Sequence, residues 1–482
     1  MQFLQTVTVQ DIGAIVPELE LAVFGMFLLI FDLLVKEKRK LGYFALAGIA
    51  ASALFLYRLR SVEFSAYGGA LSLDPFAIFF KLIFLLAAAL SIAISLKYLD
   101  IERENHGEYY ALILFATMGM MFMAGAVDLV TLYIGLETMA IATYVLVGFL
   151  RSNQRSNEAS LKYFLLGAFS SGILLYGMSL LYGISGSTRF VDIAEALSRR
   201  PITDPISLMA MITLSAGMFF KVAAVPFHQW TPDAYEGAPT SITAFMSVAV
   251  KAASFAMMVR IFMVAIYPLR PQWVTIMAAV SIMTMTIGNI AAITQSNVKR
   301  LLAYSSISHA GYILIGFIAG NETGLTAVGL YLLIYTFTNI GVWAVIVALR
   351  RKDVIGEHVD DMAGLFFRHP TAAVLMLIFL LSLAGIPPTA GFIGKYFLFA
   401  AAIETGHNVL AVIAVLNAAI SVYFYFRIVV SMFMRDATEK TGLTLAPGLN
   451  MALGVAIIFT MLIGIYPDPF IALARHAVIL GF

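Results

Sequence analysis

The chain has 482 residues, of which 61% are hydrophobic and only 12% are charged, and its formal net charge is +2. Soluble globular chains carry about 25% charged residues, so this composition excludes an ordinary soluble domain and indicates an integral membrane protein. The sequence contains no cysteine, which excludes disulfides, thiolate zinc sites and cysteine-ligated iron–sulfur clusters in this chain. Walker A, dinucleotide-binding and HExxH motifs are absent too, and nothing suggests a nucleic-acid surface.

Apolar stretches long enough to cross a bilayer follow one another along the chain, and we count fourteen. They cover residues 12–34, 41–58, 74–98, 109–126, 128–150, 158–184, 205–230, 240–265, 272–294, 299–319, 325–349, 370–402, 405–434 and 450–472. The first stretch lacks the features of a cleaved signal peptide, so we expect it to be retained. The longest polar segments are 185–204, 350–369 and 435–449. The sequence therefore predicts an all-α, polytopic membrane protein with about 14 transmembrane helices.

Positive charge is distributed unevenly between alternate loops. Loops after odd-numbered spans contain 16 Lys and Arg residues, Lys299 among them, whereas the other loops and the C-terminal tail contain 7. Cytoplasmic loops of membrane proteins are enriched in Lys and Arg. We therefore expect the loops after odd-numbered spans to be cytoplasmic and both termini to lie on the opposite side.

Two short sequences suggest an internal repeat, although apolar helices can share such patterns by chance. YVLVGF at 144–149 resembles YILIGF at 312–317, which relates spans five and six to spans ten and eleven. A shift of five spans reverses the topology, and inverted repeats are common in transporters. The single membrane domain then divides into three N-terminal helices, a first five-helix repeat, an inverted second five-helix repeat and a last helix. The boundaries are 1–108, 109–265, 272–434 and 450–472.

Seven basic residues fall inside the predicted spans. They are Lys81, Lys162, Lys221, Lys251, Arg260, Lys395 and Arg427. Four of them lie near a span end, where a long side chain can reach the interface. We expect this for Arg260 and Arg427, and we leave it open for Lys162. A lysine at mid-bilayer costs about 2.5–3.5 kcal/mol on insertion scales, so the deeper lysines need a partner or a function.

The deeper lysines are Lys221, Lys251 and Lys395, and Glu137 near the middle of span five is the acid with comparable placement. The other carboxylates fall in loops or near span ends. One interpretation is a static ion pair between helices, although buried pairs stabilise poorly relative to apolar packing. The other is a proton path, because burial disfavours the charged form of lysine and a nearby carboxylate favours it. We favour the proton path, since three buried lysines outnumber one acid.

Prolines interrupt two spans beside these lysines. Pro226 follows Lys221 in span seven, and Pro387 and Pro388 precede Lys395 in span twelve. Proline breaks the helical hydrogen-bond ladder, and broken backbone at membrane depth is tolerated where it is buried in protein or lines a hydrated cavity. A packing kink is the alternative. Two interrupted segments, one in each repeat, are typical of a transport site.

Two histidines are candidate proton relays. His309 lies inside span ten within YSSISHAGY at 304–312, where serines and tyrosines supply hydrogen-bonding groups. His228 follows the break in span seven. A lone histidine in a helix more often has a structural role. Beside a lysine path we favour the relay for His309 and leave both roles open for His228.

These segments resemble the antiporter-like membrane subunits of respiratory complex I and the related Mrp-type cation/proton antiporter subunits. The matching sequences are YIGLE at 133–137, KVAAVPFHQWTPDAYEGAPT at 221–240 and YSSISHAGY at 304–312. The resemblance covers spans four to thirteen, and PFHxWxPDAYxGAP is its most specific part. Within the family, SLAGIPPTAGFIGK at 382–395 is most similar to the subunit N branch. Lys395 stands where subunit M typically has a glutamate, and the chain is too short for the lateral helix of subunit L.

The resemblance implies roles for individual residues. Glu137 corresponds to the helix-five glutamate that neighbours the next half-channel, and Lys221 to the helix-seven lysine with which it pairs. Lys251 is similar to the central connecting residue, and Lys395 to the exit-side lysine. Lys162 matches a helix-six lysine that is also implicated in the family.

The resemblance also implies a setting in a bacterial inner membrane, with both termini periplasmic. Such a subunit couples quinone reduction in other subunits to proton pumping, and lies between M-like and K-like neighbours. It binds no cofactor or metal itself: NADH, quinone, flavin and iron–sulfur clusters belong to other chains, and the enzyme is the whole translocase. The alternatives are subunit M, an Mrp-type subunit exchanging Na⁺ or K⁺ for protons, and a membrane scaffold with static ion pairs.

Overall fold

The computed structural model describes residues 8–60, 62–350, 357–436 and 446–479. Over these ranges the backbone forms twenty α-helices and one β-hairpin. The first ten helices are α1 Val9–Leu34, α2 Arg39–Arg58, α3 Pro75–Glu102, α4 Gly107–Gly125, α5 Leu129–Val147, α6 Gln154–Ser185, α7 Phe190–Ser198, α8 Pro205–Lys221, α9 Trp230–Gly237 and α10 Thr240–Phe245. The others are α11 Lys251–Arg260, α12 Arg270–Ile293, α13 Val298–Ala319, α14 Glu322–Leu349, α15 Leu365–Arg368, α16 Pro370–Ala384, α17 Ala390–Glu404, α18 Asn408–Met434, α19 Pro447–Ile465 and α20 Asp468–His476. Arg351, Lys352 and Lys440, which contribute to the predicted orientation, lie outside the described residues.

Twelve helical stretches of the described chain are long and apolar enough to cross a membrane. One of them, Thr240–Ala265, runs through α10, a π-helical segment at Met246–Val250, α11 and a second π-helical segment at Ile261–Ala265. Two shorter apolar helices, α8 and α16, are each followed by a break and a further helix, α9 and α17 respectively. The predicted all-α polytopic architecture is confirmed, and its fourteen stretches correspond to these twelve spans and two interrupted ones.

The centre of the molecule is made of helices that are apolar on all sides. The spans α3, α13, α14 and Thr240–Ala265 bury more than four-fifths of their most apolar stretch, whereas α1, α6, α18 and α19 bury less than two-fifths. A helix that is hydrophobic all round belongs in an interior, and an exposed apolar face of a membrane helix meets lipid or another subunit. Polar side chains within the buried stretches of the central helices are therefore shielded from both water and lipid.

The connections contain short elements that the sequence did not predict. Between α2 and α3, β1 (Phe64–Ala66) and β2 (Leu71–Leu73) form an antiparallel hairpin. At its turn the Tyr67 amide donates a hydrogen bond to the Asp11 carboxylate of α1 at 2.6 Å. The segment 185–204, predicted only as a polar connection, contains α7. These elements cover the ends of neighbouring spans rather than extending the transmembrane bundle.

Candidate functional site

The break in span seven is held by side chains around Lys221. The helix α8 ends at Lys221, and α9 begins at Trp230. The carbonyl of Phe220 accepts hydrogen bonds from the Trp230 indole and from the Ala223 amide, each at 3.0 Å. Within the break, the Val225 amide donates to the Thr284 hydroxyl of α12 at 3.0 Å. These bonds replace the missing helical ladder and fix the position of the lysine at the end of α8.

Lys221 is buried, and its ammonium donates to the Ser171 hydroxyl of α6 at 3.2 Å. Glu137 on α5 is half-buried, and its Oε1 is buried with no hydrogen-bond partner in the described part of the chain. No described acid lies within 4.0 Å of the Lys221 ammonium, so Lys221 and Glu137 form no fixed ion pair in the described part of the chain.

Lys251 lies at the junction between the first π-helical segment and α11. It is buried, and its ammonium donates to both the carbonyl and the hydroxyl of Ser306 on α13. A π-helical turn shifts the helical register, and such turns are frequent at functional sites. Here the π-helical turn comes directly before Lys251, the residue that contacts α13.

Lys395 projects from α17 back to the end of α16. Its ammonium donates to the carbonyls of Leu383 at 3.0 Å and Ala384 at 2.8 Å. The last carbonyls of a helix have no partner within that helix and carry partial negative charge. The break at Pro387 and Pro388 exposes these carbonyls, and the lysine satisfies them. The Lys395 ammonium thus donates the hydrogen bonds that backbone amides would donate if the helix continued.

One face of α13 connects the surroundings of Lys251 with those of Lys395. Ser306, His309 and Tyr312 follow at intervals of three residues, so they lie along the same side of the helix. Ser306 binds the Lys251 ammonium, and the Tyr312 ring lies 4.9 Å from the Lys395 ammonium, measured to the ring centroid. His309, between them, is buried.

Two phenols hold the His309 ring. The Nδ1 atom lies 2.6 Å from the Tyr331 hydroxyl of α14, and Nε2 lies 3.1 Å from the Tyr425 hydroxyl of α18. The Tyr425 hydroxyl is also 2.5 Å from that of Ser305. Imidazole, phenol and hydroxyl groups each both donate and accept hydrogen bonds. The face of α13 therefore offers a hydrogen-bonded set of proton-exchanging groups between two buried lysines.

Two predicted site residues lie away from this set. Lys162 is exposed and pairs with Glu158 at 2.8 Å and with Asp233 at 3.1 Å. Asp233 also pairs with Arg300 at 2.8 Å, so these side chains form a charged cluster at the surface of the chain. His228 is half-buried beside the exposed Pro226 and Phe227 of the break, and its Nδ1 is buried without a hydrogen-bond partner among the described residues.

A buried ion pair exists that the sequence reading missed. The Glu18 carboxylate of α1 and the Lys81 ammonium of α3 are 2.6 Å apart, and their side chains are 1% and 3% exposed. The sequence places every acid except Glu137 in a loop or near a span end, whereas the structure buries Glu18 well inside α1. The signal was available, because both residues lie within apolar runs of the sequence.

Two further basic residues, Arg260 and Lys299, differ from expectation, whereas Arg427 reaches a span end, as a long side chain near that end can. Arg260 does not extend to an interface; it is buried and pairs with Asp74 at 2.8 Å. Arg427 is half-buried and donates to the Ile293 carbonyl at 2.7 Å, at the end of α12. Lys299, counted as a loop residue, is buried and donates to the Ala238 carbonyl at 2.7 Å. Backbone carbonyls and two carboxylates, Asp74 beside Arg260 and Glu357 at 3.6 Å from the Lys299 ammonium, take the place of solvent for these cations.

No group of three or more His, Asp or Glu side chains within the described ranges is placed to hold a metal ion. The site consists instead of three buried ammonium groups, a carboxylate without a fixed partner, an imidazole and several hydroxyls. All of these exchange protons, and two lie beside broken helices.

Comparison with known proteins agrees with this arrangement. Residues 126–421 match the family model described as NADH:quinone oxidoreductase/Mrp antiporter, TM. The chain is 53% identical over 477 residues to NADH-quinone oxidoreductase subunit N 2 of Solibacter usitatus, covering 96% of this chain and 97% of the relative. A chain of respiratory complex I from Thermus thermophilus with bound aureothin superposes with a TM-score of 0.81 at 31% identity, covering 95% of this chain and 99% of that one.

A chain of the Mrp complex from Dietzia sp. has the same fold, with a TM-score of 0.82 at 22% identity and 96% coverage of both chains. Fold and site together define an antiporter-like membrane subunit with interrupted spans and buried lysines. The chain belongs to the NADH-quinone oxidoreductase subunit N family. The resemblance stated from the sequence is confirmed.

Proposed function

We propose that this chain is a proton-translocating, antiporter-like subunit of an NADH-quinone oxidoreductase, carrying protons through buried Glu, Lys and His side chains. Its relatives are named as subunit N of that complex, and its family model covers most of the chain. The observation that carries the proposal is the face of α13, where Ser306 and His309 stand between the surroundings of Lys251 and Lys395. A structural ion pair needs no such set of proton-exchanging groups.

In the proposed path, Glu137 acts as the switch for Lys221. When the carboxylate approaches, it favours the ammonium form; when it withdraws, burial favours release of the proton. The absence of a fixed ion pair to Glu137 in the described chain suits a carboxylate that moves. A static pair would hold Lys221 permanently charged.

Lys251 and Lys395 form the second part of the proposed path. A proton leaving Lys251 meets the hydroxyl of Ser306, and the next exchangeable group along α13 is His309. Lys395, against Tyr312 and the carbonyls of α16, is the proposed exit-side group. Lys162 is included through its family position and is assigned to the charged cluster at the surface of the chain. His228 is included as a candidate relay because it follows the break in span seven.

We further propose that the chain lies between M-like and K-like subunits in a bacterial inner membrane, with both termini periplasmic. The redox reaction belongs to the whole complex, with NADH, flavin, iron–sulfur clusters and quinone bound by other chains. The excess of Lys and Arg in one set of loops supports the orientation. The repeat boundaries 109–265 and 272–434 are part of the same proposal, because each range contains one interrupted span.

The test is Lys251→Met in native membranes, with NADH-driven quinone reduction and proton uptake measured after assembly has been checked on native gels. Methionine keeps the volume of the site but cannot exchange a proton. We expect both activities to fall by at least about tenfold in the assembled complex, because each 1.4 kcal/mol added to a barrier slows it by that factor.

The matched control is the double variant Glu18→Gln and Lys81→Met, which removes a buried lysine together with its acid. Exchanging both members of a buried pair for neutral groups is often tolerated, and this pair lies on α1 and α3. We expect near-normal pumping from it. Full activity of assembled Lys251→Met would contradict the proposed path and favour a scaffold.

A further inference from the structure

The π-helical segment Met246–Val250 comes directly before Lys251 in the span Thr240–Ala265. A π-helix closes its hydrogen bonds over one residue more than an α-helix, and each residue of an α-helix turns the chain by about 100°. Relaxation of the segment to an ordinary α-helix would therefore rotate Lys251 by about 100° relative to α10. That rotation would turn the ammonium away from Ser306 of α13, to which it donates.

Ser247, inside this π-helical segment, is joined to α14 by two hydrogen bonds. Its hydroxyl accepts from the side-chain amide of Asn339 at 2.8 Å and from the Trp343 indole at 3.1 Å. It also donates to the Ala244 carbonyl at 2.9 Å, one turn earlier in the same span. A hydroxyl has one proton to donate and two lone pairs, so Ser247 makes every hydrogen bond available to it. We refer to Ser247, Asn339 and Trp343 together as the Ser247 clamp.

The Ser247 clamp lies in the interior of the bundle. Ser247 and Trp343 are fully buried, and Asn339 is 3% exposed. No bulk water can replace a lost partner there, so breaking one of these bonds leaves a buried polar group unsatisfied. π-Helical turns are rare. This one is therefore stabilised by contacts from another helix as well as by its own backbone.

The helix that carries two members of the clamp also holds His309. Four side chains of α14 follow one another at intervals of four residues: Tyr331, Tyr335, Asn339 and Trp343. Successive members of such a series are neighbours on the helix surface. The Tyr331 hydroxyl lies 2.6 Å from His309 Nδ1, and the ring centroids of Tyr335 and His309 are 5.1 Å apart. One row of α14 side chains thus contacts both the imidazole and the π-helical segment.

We propose that Asn339 and Trp343 are positioning residues for proton transfer, because they hold Ser247 in the π-helical register that directs the Lys251 ammonium to Ser306. The inference rests on the proposed proton path and adds residues that act on it through Ser247. Reacting groups must be held within about 10–20° of their productive direction. A rotation of about 100° is far outside that range, so loss of the π-helical register would interrupt transfer.

The experiment uses the intact complex with Ser247→Ala, Asn339→Leu or both changes. NADH-driven proton uptake is measured per assembled complex, and cryo-electron microscopy shows the helical register of residues 246–250. We expect the segment to become α-helical in Ser247→Ala and proton uptake to fall about fivefold or more, the factor that corresponds to one typical net hydrogen bond. Asn339→Leu should lower uptake by itself but add nothing to Ser247→Ala, because both changes break the same contact.

Two control variants test whether the hydroxyl at this position is what matters. Threonine keeps a hydroxyl that can bond a carbonyl one turn earlier, so Ser247→Thr should retain the π-helical register and most of the proton uptake. Thr336 of α14 is also fully buried, but its hydroxyl donates to the Leu332 carbonyl of its own helix at 2.8 Å. Thr336→Val should therefore leave both the register and the uptake unchanged.

Wild-type proton uptake by assembled Ser247→Ala, or an unchanged π-helical segment in that variant, would overturn the proposal. Trp343→Phe removes the indole donor but keeps a ring, and it tests the same register if Ser247→Ala does not assemble. Lys251→Met separates this inference from the proposed path. Loss of pumping in Lys251→Met with normal pumping in Ser247→Ala would contradict the positioning role alone, whereas normal pumping in assembled Lys251→Met would contradict the path itself.

Discussion

Lys395 is held by backbone rather than by an acid. Its ammonium donates to the carbonyls of Leu383 and Ala384, which end the half-helix α16. A buried carboxylate partner would strongly favour the charged lysine, whereas carbonyls stabilise it through partial charges alone. The arrangement therefore satisfies the hydrogen-bonding carbonyls at the end of α16 and still allows Lys395 to exchange a proton.

Two substitutions at Lys395 separate the contribution of its positive charge from the contribution of its exchangeable proton. Lys395→Arg keeps a cation that can donate to the carbonyls but does not deprotonate in proteins. We expect this variant to assemble and its proton uptake to fall by a factor of about ten or more. Blocking one proton transfer adds about 1.4 kcal/mol or more to the free-energy barrier. Lys395→Met should lose activity too and should also assemble less well, because two carbonyls lose their donor.

Native gels and NADH-driven proton uptake in membrane vesicles measure these two properties separately. Wild-type pumping by the assembled Lys395→Arg complex would show that a fixed positive charge is sufficient at this position.

The sequence revealed some buried charges and concealed others for a physical reason. Lys221, Lys251 and Lys395 were recognisable because they stand deep in apolar runs or next to proline breaks. Lys81 and Arg260 were not, because distance from a span end is a poor guide to burial when another helix or a hairpin covers that end. Their acids, Glu18 and Asp74, lie on other elements, so the pairing is a property of the packed structure.

At the scale of elements, the two halves of span twelve pack closely against each other at Gly391. A Cβ atom there would lie 1.7 Å from the Ser382 carbonyl oxygen of α16, which is a backbone atom that cannot rotate away. The Gly391 amide also donates to the Ser382 hydroxyl at 3.0 Å. The break is thus a tightly packed joint whose geometry sets the position of Lys395.

Gly391→Ala should force the two halves of this span apart. Overpacking of this kind costs about 1–3 kcal/mol, and we expect less assembled complex and less proton uptake per assembled complex. Gly183→Ala is the control, because nothing lies within 4 Å of its added Cβ. Equal assembly and pumping for both variants would show that the joint tolerates rearrangement.

Asp74 joins two elements, because it caps α3 and pairs with Arg260 of α11. It accepts a hydrogen bond from the Ala77 amide at 2.8 Å, and its carboxylate lies 2.8 Å from the Arg260 guanidinium. Burial by itself would raise the pKa of Asp74, but the charge and hydrogen bond of Arg260, with bonds from Ala77 and Ser72, lower it overall. The pair therefore contributes stability only while the carboxylate is charged.

Asp74→Asn should destabilise the subunit, because it leaves a buried arginine without its counter-charge. Breaking such a pair costs about 3–5 kcal/mol. The folded pKa is depressed, so this contribution is complete above the unfolded value of about 3.9 and disappears as the pH falls through the folded value. Thermal unfolding of the detergent-purified subunit at neutral pH measures the loss. Asp74→Glu is the control, and equal stability of Asp74→Asn and wild type would contradict this account.

The two breaks were predictable from proline, but the partners that stabilise them were not. Proline marks where a helical ladder must fail. The bond from the Trp230 indole to the Phe220 carbonyl depends on the return of the chain after the break, and the bond of the Val225 amide depends on Thr284 in a distant helix. The π-helical turn before Lys251 also has no proline or glycine signal in the sequence.

At the scale of the whole molecule, the orientation of the bundle is testable because the chain has no cysteine of its own. Ser152 after α5 and Ser198 at the end of α7 are both exposed and follow successive spans. A membrane-impermeant maleimide added to spheroplasts should label Ser198→Cys at once. It should label Ser152→Cys only after the membrane is permeabilised. The reverse pattern would place both termini in the cytoplasm.

The contact between Lys395 and the end of α16 has a consequence for communication across the molecule. A neutral amine keeps two N–H donors, so both hydrogen bonds can survive the loss of a proton, whereas the attraction between its charge and the negative end of the helix cannot. Departure of a proton would loosen the joint without dismantling it. Loss of the proton from the Lys395 nitrogen would then increase the mobility of the whole half-helix α16. A neighbouring subunit in the bilayer can respond to that change through direct contact.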